Sequence, residues 1–326
     1  MRVSAFPSKS DIIIHFAHGA YQLAECLNAR DPLIRNFQTF TPDETAAQIG
    51  SGHVFVGSGY WKNDFISTAH NLKLIQVCAA GFENYDLNAI SKAGVRLSNS
   101  RGVNANAVSD HAMALILGLS RKIHTARDNQ RAKHWRGMIS DIQKREDELA
   151  GKTLTILGVG TIGKRLARRA HAFDMHVIGI RRNISEIEGL VDEAVTPNKL
   201  YDVLRRSDFV ALTCPLTDKT ANIIDANALT AMPQSAYLIN VSRGGCVNQE
   251  ALIHSLEARE IAGAGIDTTI EEPLDTGSRL WDIPNVILTS HTAGETQKYE
   301  DNVIDILFEN LNRLWSGKTD LLNQIV

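Results

Sequence analysis

Residues 152–183 read KTLTILGVGTIGKRLARRAHAFDMHVIGIRRN, and the fold turns on how this stretch is read. It opens with an apolar, β-branched run, Thr153 to Leu157, that has the character of a buried strand. A Gly-x-Gly-x-x-Gly turn follows at Gly158, Gly160 and Gly163, then a helical pattern from Ile162 to about Phe173. A second apolar run, His176 to Ile180, supplies the next strand. Strand, turn, helix and strand at this spacing make the unit that binds dinucleotides. Gly158 permits the tight turn, Gly160 lets a pyrophosphate approach the backbone, and Gly163 lets helix pack closely on strand. The helix N-terminus offers free N–H groups and a positive dipole end to the phosphates.

The end of the second strand bears on which dinucleotide is bound. An Asp or Glu about 20 residues past the glycines ordinarily accepts from the ribose 2′-OH. Arg181 and Arg182 stand there instead, with no acid before Glu186. A guanidinium cannot accept from a hydroxyl, but it makes charge-assisted, forked contacts to a 2′-phosphate. NADP(H) is therefore the preferred expectation. NAD stays open if both arginines are merely solvated at a strand end.

With 326 residues the chain is long enough for two domains with separate cores. A net charge of −3 gives no reason to expect nucleic acid or an anionic membrane as partner. No apolar run approaches a membrane span, and the opening MRVSAFPSKSD lacks the apolar core of a secretion signal. The cysteines, Cys26, Cys78, Cys214 and Cys246, are far apart and form no Cys-x-x-Cys pair. They are expected to be reduced thiols of a cytoplasmic protein, with neither disulfides nor a metal site.

Before residue 100, strand-like runs at Asp11–Phe16, Gly52–Val56, Leu72–Cys78 and Gly94–Leu97 alternate with helical runs at Tyr21–Ala29 and Glu44–Ile49. This is the pattern of a small parallel α/β unit. Ala79-Ala80-Gly81-Phe82 follows one strand end. Such a loop either offers backbone N–H groups to an anion or is a simple turn. An almost wholly apolar helix is expected over Asn104–His124, and a polar stretch, Ala126–Glu148, leads to the dinucleotide unit. Further strands are expected at Ser207–Leu212, Ser235–Val241, Ala262–Ile266 and Val286–Leu288, with helices at Glu250–Arg259 and Glu300–Gly317. The fold class is thus α/β, with doubly wound parallel sheets of the Rossmann kind.

Arg243, Glu272 and His291 stand just past three of these strand ends. Each alone has an ordinary reading as a turn residue, a surface charge or a loop histidine. Reduction of a 2-oxo acid beside a nicotinamide, however, needs a cation for the substrate carboxylate and carbonyl, and a proton donor at the carbonyl oxygen. Arginine's planar fork suits the first task, histidine the second. A neighbouring carboxylate would orient the imidazole and stabilise its protonated form.

The segments GVGTIG, SDFVALTCPLTDKTANII, LINVSRGGCVNQEALIHSL, AGAGIDTTIEEPL and NVILTSHTAG, in this order and spacing, resemble the D-isomer-specific 2-hydroxyacid dehydrogenase family along nearly the whole chain. The resemblance implies that Arg243 binds and polarises the 2-oxo acid, that His291 exchanges the proton, and that Glu272 pairs with His291. It implies substrate contacts from the backbone of Ala80 and Gly81, and a nicotinamide contact from Asp267. Cofactor contacts are implied at Thr161, Ile162, Cys214, Pro215, Thr220, Val241, His291, Ala293 and Gly294, beside the three glycines and the two arginines. It further implies a discontinuous substrate domain, residues 1–103 with 295–326, a dinucleotide domain over 104–294, an active-site cleft between them, and a homodimer with the long helix from Asn104 in its interface; Trp135 is either a cross-dimer contact or an ordinary packing residue.

Departures from the family pattern are Arg181 and Arg182, Ser290 for Pro, Thr268-Thr269, Ser109-Asp110-His111, Glu83 for Asp and Arg101 for Pro. None removes a catalytic group. The expected activity is reduction of a small 2-oxo acid, glyoxylate/hydroxypyruvate reductase-like. Phosphoglycerate or phosphite dehydrogenation and a cofactor-sensing corepressor-like role are the alternatives. Formate oxidation is disfavoured by the retained Glu–His pair.

Overall fold

Residues 6–326 are described by a computed structural model. The chain divides into two compact units, one running to Asn104 and resumed at Thr296–Val326, the other Ala105–Glu295. In the first, β1 (Ile13–Ala17), β2 (Arg35–Thr39), β3 (Val54–Gly57), β4 (Leu74–Val77) and β5 (Arg96–Asn99) form a parallel sheet in the order β2-β1-β3-β4-β5. In the second, β6 (Thr153–Leu157), β7 (His176–Ile180), β8 (Glu193–Val195), β9 (Phe209–Leu212), β10 (Tyr237–Asn240), β11 (Gly263–Ile266) and β12 (Val286–Leu288) are ordered β12-β11-β10-β9-β6-β7-β8. The chain runs from β6 outward to β8 and returns to β9 on the other side of β6. The C-terminal ends of β6 and β9 thus flank the switch point at which open α/β sheets bind ligands.

Alternation along each strand divides the apolar residues between two faces. Leu154 and Ile156 join one core with Phe209 and Ala211; Leu157 joins the other with Val210 and Leu212. In the first unit, Ile14 and Phe16 pack on the side covered by helix Tyr299–Trp315, which contributes Val303, Ile304, Leu307 and Leu311, all buried. Burial of each such side chain contributes about 1.5–3 kcal/mol, so this distant segment is integral to the first unit's core.

Three readings of the sequence need correction. The strands β2 and β8 were not expected: both lie at sheet edges, and RNFQT and EAV are only partly buried, so neither carries an apolar run. The single helix expected over 104–124 is two, Ala105–Ser120 and Ile123–Arg131, broken where Lys122 adopts a left-handed φ of 51°. The second helix buries none of its residues, and Ile123 is its one large apolar residue. No helix among the described residues is long and apolar enough to cross a membrane.

One core residue couples the fold to pH. His15 on β1 is fully buried, stacked on Phe37 at 4.5 Å, with Nε2 at 2.9 Å from Thr39 Oγ1. Burial pushes its pKa from 6.5 to about 4. Above the unfolded value both states are neutral and His15 adds no pH dependence. Below it the unfolded chain takes up the proton first, so stability falls from pH 6.5 down to about 4 and then levels off. The loss attributable to His15 is about 3 kcal/mol. Urea unfolding at pH 7 and pH 4 should show His15→Gln losing less stability than wild type by this margin; equal losses would refute the assignment.

Candidate active site

The glycine turn after β6 is shaped by close approach. Gly158 has a φ of +94°, and a Cβ there would lie 2.6 Å from Cys214 Cα, at the end of the neighbouring strand β9. Thr213 Oγ1 donates to Gly158 O (2.8 Å), and Thr213 N to Leu157 O (3.0 Å), joining the two strand ends. A Cβ on Gly163 would press on Gly158 O and Thr213 Oγ1, both at 3.0 Å, so the helix sits directly on the turn. A Cβ on Gly160 would meet nothing within 4 Å. Gly160 is the N-cap of helix Thr161–His171, whose first turn carries no acid and no side-chain cap. The N–H groups of Thr161 and Ile162 thus have no competing side-chain cap or first-turn acid at the positive dipole end, the arrangement a pyrophosphate requires. The residues fit a dinucleotide. Across the turn, Thr220 Oγ1 donates to Pro215 O (2.6 Å) and accepts from Thr217 N (2.8 Å), bracing the loop that starts at Cys214.

At the end of β7 the two arginines differ. Arg181 Nη1 donates to Val159 O inside the glycine turn, and Nη2 to Glu186 Oε2. Glu186 Oε1 accepts from Asn183 Nδ2 (3.1 Å). Arg181 is thus a brace of the turn, and both oxygens of the one nearby acid are in use. Arg182 is exposed, with no partner among the described residues.

Arg243, Glu272 and His291 all lie in the second unit. His291 Nδ1 is 2.7 Å from Glu272 Oε2. Glu272 Oε1 accepts from Thr269 N (3.1 Å), so the carboxylate is fixed at both oxygens. With a carboxylate at Nδ1, that nitrogen carries hydrogen and Nε2 is the nitrogen left for another partner. His291 has a φ of 54°, held by donation from its N–H to Asp267 O (2.8 Å). Such a left-handed residue costs about 1–3 kcal/mol, which the surrounding bonds must offset. Asp267, 2 % exposed, accepts from Thr289 Oγ1 (2.6 Å), Thr292 N (3.0 Å) and Ala293 N (3.1 Å). Its carboxylate is therefore the keel of the histidine loop, a structural duty that reading the sequence had not given it. His111 Nε2, at 3.0 Å from Thr289 Oγ1, abuts the same loop.

Arg243 follows β10 with an exposed guanidinium that donates to Ser242 O (2.7 Å). Asn240 shapes its turn: Nδ2 donates to Arg243 O (3.1 Å), while Oδ1 accepts from Ser242 N and Oγ. A Cβ on Gly244 would lie 2.0 Å from both C and O of Thr269. The arginine turn therefore rests directly on the backbone of the segment that holds Glu272. Beneath it the buried thiols of Cys214 and Cys246 interact, and the hydrogen bond from Cys214 lowers the Cys246 pKa while raising that of Cys214. Val241 is buried below the same turn, and Gly294 follows buried Ala293. Among the described residues no cluster of His, Cys, Asp or Glu could hold a metal ion.

In the first unit, Ala80 and Gly81 lie past β4, and neither N–H donates to an acceptor among the described residues. Glu83 folds back so that Oε2 is 2.8 Å from where a Gly81 Cβ would be. Arg101 is turned towards the C-terminal segment, with Nη2 3.5 Å from Asn323 Oδ1.

Fold and site together define a dinucleotide-dependent oxidoreductase. Residues 113–293 match a family described as D-isomer specific 2-hydroxyacid dehydrogenase, NAD binding domain. The glycerate dehydrogenase of Methylorubrum extorquens is 33% identical over 285 residues, 86% of this chain and 88% of that protein. Glyoxylate/hydroxypyruvate reductase B of Yersinia pestis is 32% identical over 289 residues, 87% and 88% of the two chains. The NAD complexed form of a D-isomer specific 2-hydroxyacid dehydrogenase from Lactobacillus delbrueckii ssp. bulgaricus shares the fold, with a TM-score of 0.82 over 96% of this chain and 100% of that one, at 23% identity. The chain belongs to the D-isomer-specific 2-hydroxyacid dehydrogenase family.

Proposed function

We propose that this dehydrogenase reduces small 2-oxo acids such as glyoxylate and hydroxypyruvate to D-2-hydroxy acids, with NADP(H) preferred over NAD(H). The observation that carries the reading is the His291 Nδ1–Glu272 contact at 2.7 Å, with Glu272 itself anchored by Thr269 N. The bound nicotinamide supplies the hydride. Arg243 holds the substrate carboxylate and draws charge onto the carbonyl oxygen. His291 Nε2 delivers the proton to that oxygen, and Glu272 stabilises the imidazolium before delivery. The N–H groups of Ala80 and Gly81 grip the substrate carboxylate. Gly158, Gly160 and Gly163 with the amides of Thr161 and Ile162 hold the pyrophosphate, and Arg182 takes the 2′-phosphate.

A homodimer fits the second unit's surface. Trp135, Met138 and Ile142 are 97%, 103% and 73% exposed on the stretch after helix Ile123–Arg131. Large apolar side chains left this exposed on one short stretch support an interaction face there.

Cofactor choice is tested with NADPH and NADH side by side, using glyoxylate, hydroxypyruvate, pyruvate and phenylpyruvate as acceptors. Wild type should favour NADPH, and Arg182→Gln should raise the KM for NADPH by about tenfold or more, the worth of one charge-assisted contact. The KM for NADH should not move. Wild type that prefers NADH would remove Arg182 and the NADP assignment while leaving the catalytic set standing.

A further inference from the structure

Three consecutive carbonyls in the loop after β4 are each held. Tyr299 Oη donates to Cys78 O (3.0 Å), Ser100 N to Ala79 O (3.1 Å) and Asn99 Nδ2 to Ala80 O (2.6 Å). A trans peptide is planar, so anchoring a carbonyl also fixes the following N–H on the opposite side of the same plane. The planes anchored here carry the N–H groups of Ala79, Ala80 and Gly81. None of these three donates to an acceptor among the described residues. Backbone donors fixed in this way form an anion site that needs no reorganisation when the anion arrives.

Asn99 is the anchor within reach of mutation without disturbing the core helix that carries Tyr299. It is 3% exposed, and its Oδ1 accepts from Arg101 N (3.3 Å). Asn323, near the C-terminus, clamps it from behind: Asn323 Nδ2 donates to Asn99 O (3.2 Å) and Arg101 O (2.9 Å), and Asn99 N donates to Asn323 O (3.3 Å). We propose that Asn99 is a positioning residue for the substrate carboxylate, aiming the Gly81 N–H by holding the Ala80 carbonyl, with Asn323 fixing Asn99 in turn. This rests on the reading of the Ala80–Gly81 loop as the carboxylate site. Asn99 touches no reacting atom, so its effect falls on substrate affinity and not on the proton or hydride step.

Asn99→Asp tests this at constant shape. It keeps the acceptor for Arg101 N and replaces the donor to Ala80 O with an oxygen. In the full-length enzyme the KM for glyoxylate and hydroxypyruvate should rise about tenfold or more, the effect of losing one hydrogen bond to a charged ligand's site. Inhibition by oxamate, a non-reducible analogue, should weaken in proportion, while kcat and the Kd for cofactor stay near wild type. Asn323→Ala should give the same pattern at smaller size, and it decides the matter if Asn99→Asp does not fold. A folded variant whose KM and oxamate inhibition match wild type overturns the proposal, as does an equal fall in kcat without a change in KM. Wild type that reduces no 2-oxo acid would instead remove the carboxylate reading itself, and this inference with it.

Discussion

His291→Ala should lower kcat for 2-oxo acid reduction by about a thousandfold, within the range that a positioned acid–base group supplies. Cofactor binding should be retained, because the glycine turn and Arg182, the proposed holders of the pyrophosphate and 2′-phosphate, share no hydrogen bond with His291. Two features make the imidazole more than a loop histidine. Glu272 fixes Nδ1 at 2.7 Å, and Asp267 ties down the backbone just after the histidine through the N–H groups of Thr292 and Ala293. Glu272→Gln keeps the shape and removes the charge, so it should retain more activity than His291→Ala. Single-turnover and cofactor-titration measurements separate the two outcomes. Normal cofactor binding with turnover lost fits the acid–base assignment; turnover within a few fold of wild type would refute it. A wild-type protein that binds cofactor without turning over any 2-oxo acid would fit the corepressor-like alternative.

Gly244→Ala should be comparably severe for a different reason. The added methyl carbon would stand 2.0 Å from Thr269 C and O and 2.5 Å from Ile270 N, all backbone atoms. Nothing there can rotate aside, so either the arginine turn or the Glu272 segment must move. Overpacking of this kind costs about 1–3 kcal/mol or more. A displacement near 1 Å between Arg243 and the Glu272–His291 pair would cost about a hundredfold in rate. Gly245→Ala is the control: its Cβ would meet only the Leu216 side chain, nearest at 3.0 Å, which can rotate. Thermal unfolding and kcat/KM on both variants check the contrast. Equal behaviour of the two would show that the contact between the arginine turn and Thr269 is not what aligns the site.

The central strands were legible in the sequence because they are buried on both faces. Thr153–Leu157, His176–Ile180 and Phe209–Leu212 lie where their apolar runs put them. The edge strands β2 and β8 were not, since RNFQT and EAV carry no continuous apolar run. Arg243, Glu272 and His291 were legible as residue types past strand ends, and His291 does meet Glu272. What was not legible is how backbone and side chains satisfy one another. Arg181 reads as a phosphate ligand until Glu186, five residues on, folds back to meet it. Asn99 carries no signal of its own in the sequence, because its bond to Ala80 O joins residues 19 apart through a main-chain atom that has no sequence signature. Asp267 likewise hides its bracing role, since two of its three partners are backbone N–H groups.

The most direct test of the central claim is the configuration of the product. Purified enzyme with NADPH or NADH and hydroxypyruvate should consume cofactor and yield glycerate that chiral chromatography resolves as the D form alone. No glycerate, or glycerate of the L form, would contradict the assignment of this site as a D-specific 2-oxo acid reductase.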